Sequence, residues 1–217
     1  MGCTPALWSL LELDREPLTP VLEEPALDAE VDRLLKLLPD RFTLAGLSLG
    51  GIVAMALVRR APERVSRLCV MSTNPYAPTP AQHAAWAAQR AQLATGSARA
   101  LQESLLPSLL SPDVIDSRPD LVSLTLAMAE EVGAATYAQQ LRLQDTRVDE
   151  RPGLAGVRVP TLVVAARDDR LCSLGRHTEI AARVPDAELV VVDHAAHLSP
   201  LEQPGAVSLV LRRWLSE

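Results

Sequence analysis

Phe42-Thr43-Leu44-Ala45-Gly46-Leu47-Ser48-Leu49-Gly50-Gly51-Ile52-Val53-Ala54-Met55-Ala56-Leu57-Val58-Arg59-Arg60 is the stretch that decides the fold. Phe42 to Leu47 is a short apolar run with the length of a buried strand. From about Gly51 to Arg60 the chain is apolar nearly all round, which predicts a buried helix. Between the two lies a sharp Gly46-Leu47-Ser48-Leu49-Gly50 turn. A serine on a strand-to-helix turn is held clear of the backbone, at a helix N-terminus whose unpaired N–H groups favour developing negative charge. The pattern points to Ser48 as a nucleophile and to the Leu49 N–H as a donor to an oxyanion. Gly46 and Gly50 read as room for the turn, and Gly51 as the residue that lets the helix lie close to the sheet.

Strands and helices alternate outward from this turn. A helix is predicted over 27–38, from apolar residues at helical spacing, and a second strand over 65–71. A third strand is predicted over 161–165, a helix over 174–184, a fourth strand over 188–192 and a last helix over 206–215. This alternation implies an α/β fold, a mostly parallel sheet with helices on both faces. The stretch 79–149 has no strand-like run and reads as four or five short helices, with Ser111-Pro112 and Arg118-Pro119 as helix starts. It is an inserted helical cap, leaving 1–78 and 150–217 as the core. The first forty residues, punctuated by Pro5, Pro17, Pro20 and Pro25, resist assignment.

A serine hydroxyl is a poor nucleophile without a base. Four histidines are present: His83, His177, His194 and His197. His197 and His194 share the loop after the fourth strand, at the carboxyl edge of the sheet where Ser48 also falls. His197 is the favoured base and His194 its closest rival. His83 and His177 fall on predicted helices and read as solvated or locally bonded. A base needs a carboxylate to fix its tautomer. Asp168 and Asp169 follow the third strand at the same edge, with Asp169 preferred, whereas the end of the second strand offers Ser72, Thr73 and Asn74 but no acid.

Composition narrows the function classes. With 217 residues the chain can bury one sizeable core. Its 27 acidic residues against 21 basic ones give a charge of −6 and no footprint for nucleic acid. No apolar run is long enough for a membrane span, and the N-terminus shows no signal-peptide pattern. Three cysteines, Cys3, Cys69 and Cys172, match no zinc spacing and no disulfide framework, so a reducing, cytoplasmic setting without metal is expected.

The elbow at 46–50, the block Val159-Pro160-Thr161-Leu162-Val163-Val164-Ala165 with Asp169, and the block His197-Leu198-Ser199-Pro200-Leu201-Glu202-Gln203-Pro204 resemble the α/β-hydrolase superfamily, in particular small bacterial serine esterases. The similarity extends from about Asp40 to the end. It selects His197 over His194 and Asp169 over Asp168. It implies the α/β-hydrolase fold and cofactor-free hydrolysis of a small or medium carboxylic ester through an acyl-enzyme. Thioester or C–C hydrolysis, perhydrolysis, lyase chemistry, or a hydrolase-like module that binds without turnover are the alternatives.

Gly2-Cys3-Thr4-Pro5-Ala6-Leu7-Trp8 resembles the part of the family's oxyanion loop that follows its His-Gly turn, which puts Met1 where the second oxyanion donor stands. The fold is then N-terminally shortened. Without the strand that lies beside the elbow strand in the family, 42–47 is left as a bare apolar edge that invites pairing with another chain, so the expectation is either a homodimer, an N-terminal truncation or a mis-called start. Trp86, Leu124, Met128 and Tyr137 are candidates to line an acyl pocket, although ordinary cap core is the simpler account of any one of them.

Overall fold

The computed structural model describes residues 1–216. Its centre is a four-stranded, fully parallel sheet in the order β1 (Phe42–Leu47), β2 (Val65–Met71), β3 (Thr161–Ala166), β4 (Ala187–Val192). The strand residues alternate between two cores with the period of two that a pleated strand imposes. Leu68, Val70 and Val163 point into one core, which they share with α1 (Leu27–Leu37), α2 (Leu49–Arg60) and α8 (Leu174–Arg183). Cys69, Met71, Leu162, Val164 and Ala166 point into the other, with α10 (Pro204–Ser216) and part of the helical insertion. Both faces are therefore covered, as the near-continuous apolar strands require.

Between β2 and β3 the chain forms α3 (Pro80–Thr95), α4 (Ala98–Leu109), α5 (Pro112–Ser117), α6 (Pro119–Thr146) and the single turn α7 (Arg151–Leu154). Proline stands in the first turn of α3, α5 and α6, where its missing N–H costs nothing. At Gly133 (φ 75°, ψ 160°) α6 is interrupted. These helices have a small core of their own around Trp86, Leu101, Tyr137 and Leu141.

Several boundaries move from their sequence-based positions. The helix after the elbow begins at Leu49, because Ser48 is its N-cap; the last helix spans Pro204–Ser216. Three short helical turns were not legible: a 3-10 turn at Pro5–Trp8, α7, and α9 at Ser199–Glu202.

The proline-punctuated N-terminal segment is held by buried polar groups. Glu30, fully buried on α1, accepts the N–H groups of Glu23 and Glu24 on one oxygen and the Arg33 guanidinium on the other. The Gly2 N–H donates to Gln140 of α6 at 2.8 Å. Gly2 has φ +63°, and a Cβ there would lie 2.4 Å from the Tyr137 ring, so only glycine fits.

β1 pairs with β2 alone and forms one edge of the sheet. Along that edge runs a groove of about 640 Å³, floored by 42–47 and walled by α2 residues and by parts of 3–22. No described helix is long and apolar enough to cross a membrane.

Candidate active site

The parallel strands end together. Ser48 N–H donates to Met71 O, Ser72 N–H to Val164 O and Arg167 N–H to Val192 O, so the residues that follow all four strands lie along one rim. Three of those connections carry the residues singled out from sequence.

Ser48 has φ 56° and ψ −113°, a conformation L-residues rarely adopt. Strain of this kind persists only where the surroundings over-determine it. Here the Ser48 carbonyl accepts three bonds, from Gly51 N (3.0 Å), Ile52 N (3.1 Å) and Thr73 Oγ1 (2.8 Å). Gly46 is obligatory, since a Cβ there would lie 2.2 Å from the Gly50 carbonyl oxygen. Gly51 is also tight, its Cβ position 2.7 Å from Thr73. Gly50 is a correction: a Cβ there meets nothing within 4 Å, so that glycine is not needed for space. The Leu49 N–H opens α2 and is one of the amides without an intrahelical partner. Among the described residues the Ser48 hydroxyl takes no hydrogen bond, to His197 or to any other group.

His197 and Asp169 are brought together. His197 Nδ1 lies 2.9 Å from Asp169 Oδ2, with both side chains almost wholly buried. Asp169 Oδ1 accepts the N–H groups of Leu171 (2.8 Å) and Cys172 (2.9 Å), which fixes the carboxylate plane. Burial pushes the Asp169 carboxyl up, but the bond to His197, its charge and the two backbone donors outweigh this and hold it below the usual value. Asp168 is exposed and its N–H is tied to Ala195 O. His194 is also exposed, at φ 55°. Cys172 Sγ lies within 4.8 Å of the donor atoms of Asp169 and His197. Burial pushes that thiol up to about 12, so it stays protonated beside a carboxylate and an imidazole already bonded to each other, a poor set for a metal.

The loop bearing His197 is pinned by Glu202. One Glu202 oxygen accepts Ala196 N–H at 3.0 Å and the other accepts Ser111 N–H, at the α4–α5 junction, at 3.1 Å. This loop is thus tied to the helical insertion through one buried carboxylate, whose pKa burial raises.

Other sequence-based candidates fall elsewhere. Met1 packs against the α1–α2–α8 core and the insertion's core, and lines the β1 groove together with Leu47, Leu49 and Gly50. Trp86 and Tyr137 lie in the insertion's own core, Trp86 under the Arg147 guanidinium (5.0 Å) and Tyr137 with its hydroxyl on Gln102 Oε1 (2.8 Å). Met128 and Leu124 belong to the core that joins the insertion to the sheet. None of the four lines the β1 groove or the cavity of about 480 Å³ beside Asp169. Their placement is ordinary packing.

Of the remaining histidines, His83 is half-exposed and bonds Asp145. His177 is fully buried, so of its two sequence-based readings, solvated or locally bonded, only the second holds. Its Nε2 lies 3.1 Å from Thr73 N and its Nδ1 3.1 Å from Ser173 O. Neither this ring nor the roles of Thr73 and Glu202 were legible. The one sequence signal was that Thr73 follows β2 at the rim and that Glu202 stands five residues after His197.

Comparison with known proteins agrees with this architecture. Residues 6–208 match the model of a family described as "Alpha/beta hydrolase family". The pimeloyl-[acyl-carrier protein] methyl ester esterase of Aromatoleum aromaticum is 32% identical over 83% of this chain and 76% of its own. The 3-oxoadipate enol-lactonase 2 of Acinetobacter baylyi is 26% identical over 79% of this chain, which spans only 64% of that relative's length. The crystal structure of the enol-lactonase from Burkholderia xenovorans LB400 superposes with a TM-score of 0.88 at 21% identity, covering 100% of this chain and 88% of that one.

Proposed function

Because the chain belongs to the alpha/beta hydrolase family, we propose that it hydrolyses a small or medium carboxylic ester through an acyl-enzyme formed on Ser48. The observation that carries this reading is the buried His197–Asp169 pair on the same sheet rim as the strained elbow of Ser48. Ser48 Oγ attacks the ester carbonyl while His197 Nε2 takes its proton. Asp169 holds Nδ1 protonated and stabilises the imidazolium. The tetrahedral oxyanion lies against the Leu49 N–H and an N–H of the N-terminal loop near Met1. As the carbonyl re-forms, the alcohol leaves with the proton from His197. Water, deprotonated by the same ring, then releases the acid and restores Ser48. No metal or organic cofactor enters these steps.

The open Ser48–His197 contact is compatible with this role, because such bonds are commonly long without substrate and tighten in the Michaelis complex. The activities for which these relatives are named support the reaction class: an ester and a lactone both contain an acyl–oxygen bond. Part of the same reading is that a second copy of the chain pairs with the open edge of β1.

A fluorophosphonate probe and p-nitrophenyl acetate test the proposal. The expected result is labelling and turnover by the wild type and loss of both in Ser48→Ala. Asp169→Asn should lower kcat by on the order of 10⁴-fold, the effect of a wrongly held tautomer. Labelling that survives Ser48→Ala, or folded wild-type protein that takes no label, overturns it and leaves a binding module.

A further inference from the structure

We infer that His177 is a positioning residue for the nucleophile: its neutral ring holds the backbone of Thr73, and the Thr73 hydroxyl clamps the carbonyl of Ser48. The inference rests on Ser48 being the nucleophile.

The chain of contacts is short and buried. Thr73 Oγ1 donates to Ser48 O at 2.8 Å, Thr73 N–H donates to His177 Nε2 at 3.1 Å, and both Thr73 and His177 are completely buried. Thr73 follows Ser72, whose φ of 44° is a second positive-φ position at this rim. Thr73 is also wedged against Gly51, where a Cβ would come within 2.7 Å of it. The elbow's strain therefore bears directly on Thr73, and the Thr73 amide has the His177 ring as its acceptor.

The ring can act this way in one protonation state only. Ser173 O can only accept, so Nδ1 carries the hydrogen and Nε2 presents a lone pair to Thr73. A second proton would set an N–H against an N–H. Burial lowers the His177 pKa, which keeps the ring neutral. The charged groups facing it are Asp169 from the β3 loop, which favours protonation, and His197 from the β4 loop and Arg176 on its own helix, which oppose it. From α7, Arg151 and its partner Asp149 act instead on Glu179 and Arg183 of α8. A folded-state pKa below the unfolded one means that the contribution is intact above about pH 6.5 and is lost as pH falls through the folded value. The loss should appear as loosening of the elbow.

The test compares His177→Leu with His177→Gln, whose amide can accept from Thr73 N–H and donate to Ser173 O without titrating. Fluorophosphonate labelling rate, and kcat and KM on p-nitrophenyl acetate, are measured from about pH 5 to 8, with circular dichroism to follow folding. The expected result is a kcat lowered roughly 10- to 100-fold in the leucine variant, the scale of an ångström-size misplacement, with KM within about twofold. The glutamine variant should recover most of that loss.

An unchanged kcat in folded His177→Leu, or no recovery by glutamine, overturns the inference. Should the leucine variant not fold, Thr73→Val, which keeps the volume and removes the clamping hydroxyl, takes its place: a lowered kcat with KM held supports the inference, and an unchanged kcat in the folded variant overturns it. Failure of the nucleophile assignment would appear separately, as labelling that persists in Ser48→Ala.

Discussion

At the scale of single residues, the site depends on where a methyl group fits and where it does not. Gly46 and Gly50 look equivalent in the motif, but a Cβ at Gly46 runs into the backbone of the next turn and one at Gly50 meets open space. Gly46→Ala should therefore destabilise by at least about 1–3 kcal/mol, the usual cost of forcing atoms into packed structure. Gly50→Ala should stay near wild type in thermal midpoint. Differential scanning fluorimetry reads both, and similar losses in the two variants would contradict the geometry. The sequence placed Ser48, Asp169 and His197 along one rim because each follows a strand in a parallel sheet. It could not place His177, since a histidine on a helix carries no mark of what lies behind that helix.

At the scale of elements, the insertion and the loop that bears His197 are mechanically joined. Glu202 satisfies Ser111 N–H and Ala196 N–H at once. Removing its carboxylate in Glu202→Ala strands two backbone donors, each costing about 1–3 kcal/mol if left dry. A lower urea midpoint and a lower kcat are expected together; an unchanged kcat would show that the tie does not reach His197. The edge of β1 makes a separate prediction. An unpaired, partly apolar strand edge templates pairing, and natural proteins blunt such edges with lysine. Ala45 is exposed on that strand. Multi-angle light scattering should show concentration-dependent association of the wild type and less of it in Ala45→Lys; a wild type that is monomeric at every concentration would remove the edge as an interface.

At the scale of the whole molecule, stability lies in the two cores that the sheet separates. Leu162, fully buried on β3, packs in the core that also holds α10 and part of the insertion. Leu162→Ala should cost about 2–5 kcal/mol, read from the shift of the urea midpoint. A loss below about 1 kcal/mol would mean that the core collapses around the cavity. The strands and the helices that cover the sheet were legible because apolar period and length are written locally: 161–165 has the length and β-branched apolar run of a buried strand. The N-terminal segment was not, because Glu30, Gln140 and Thr146 hold it from positions far along the chain or through a buried charge with no periodic signature. The same division runs through the site. The sequence by itself determined which candidate side chains stand at which strand ends. Only the tertiary structure decided that the candidate pocket aromatics Trp86 and Tyr137 are core, and that a buried ring stands behind the elbow. Those outcomes depend on which loop folds back over which strand end, and hydrogen bonds across more than a hundred residues are not encoded in any local pattern.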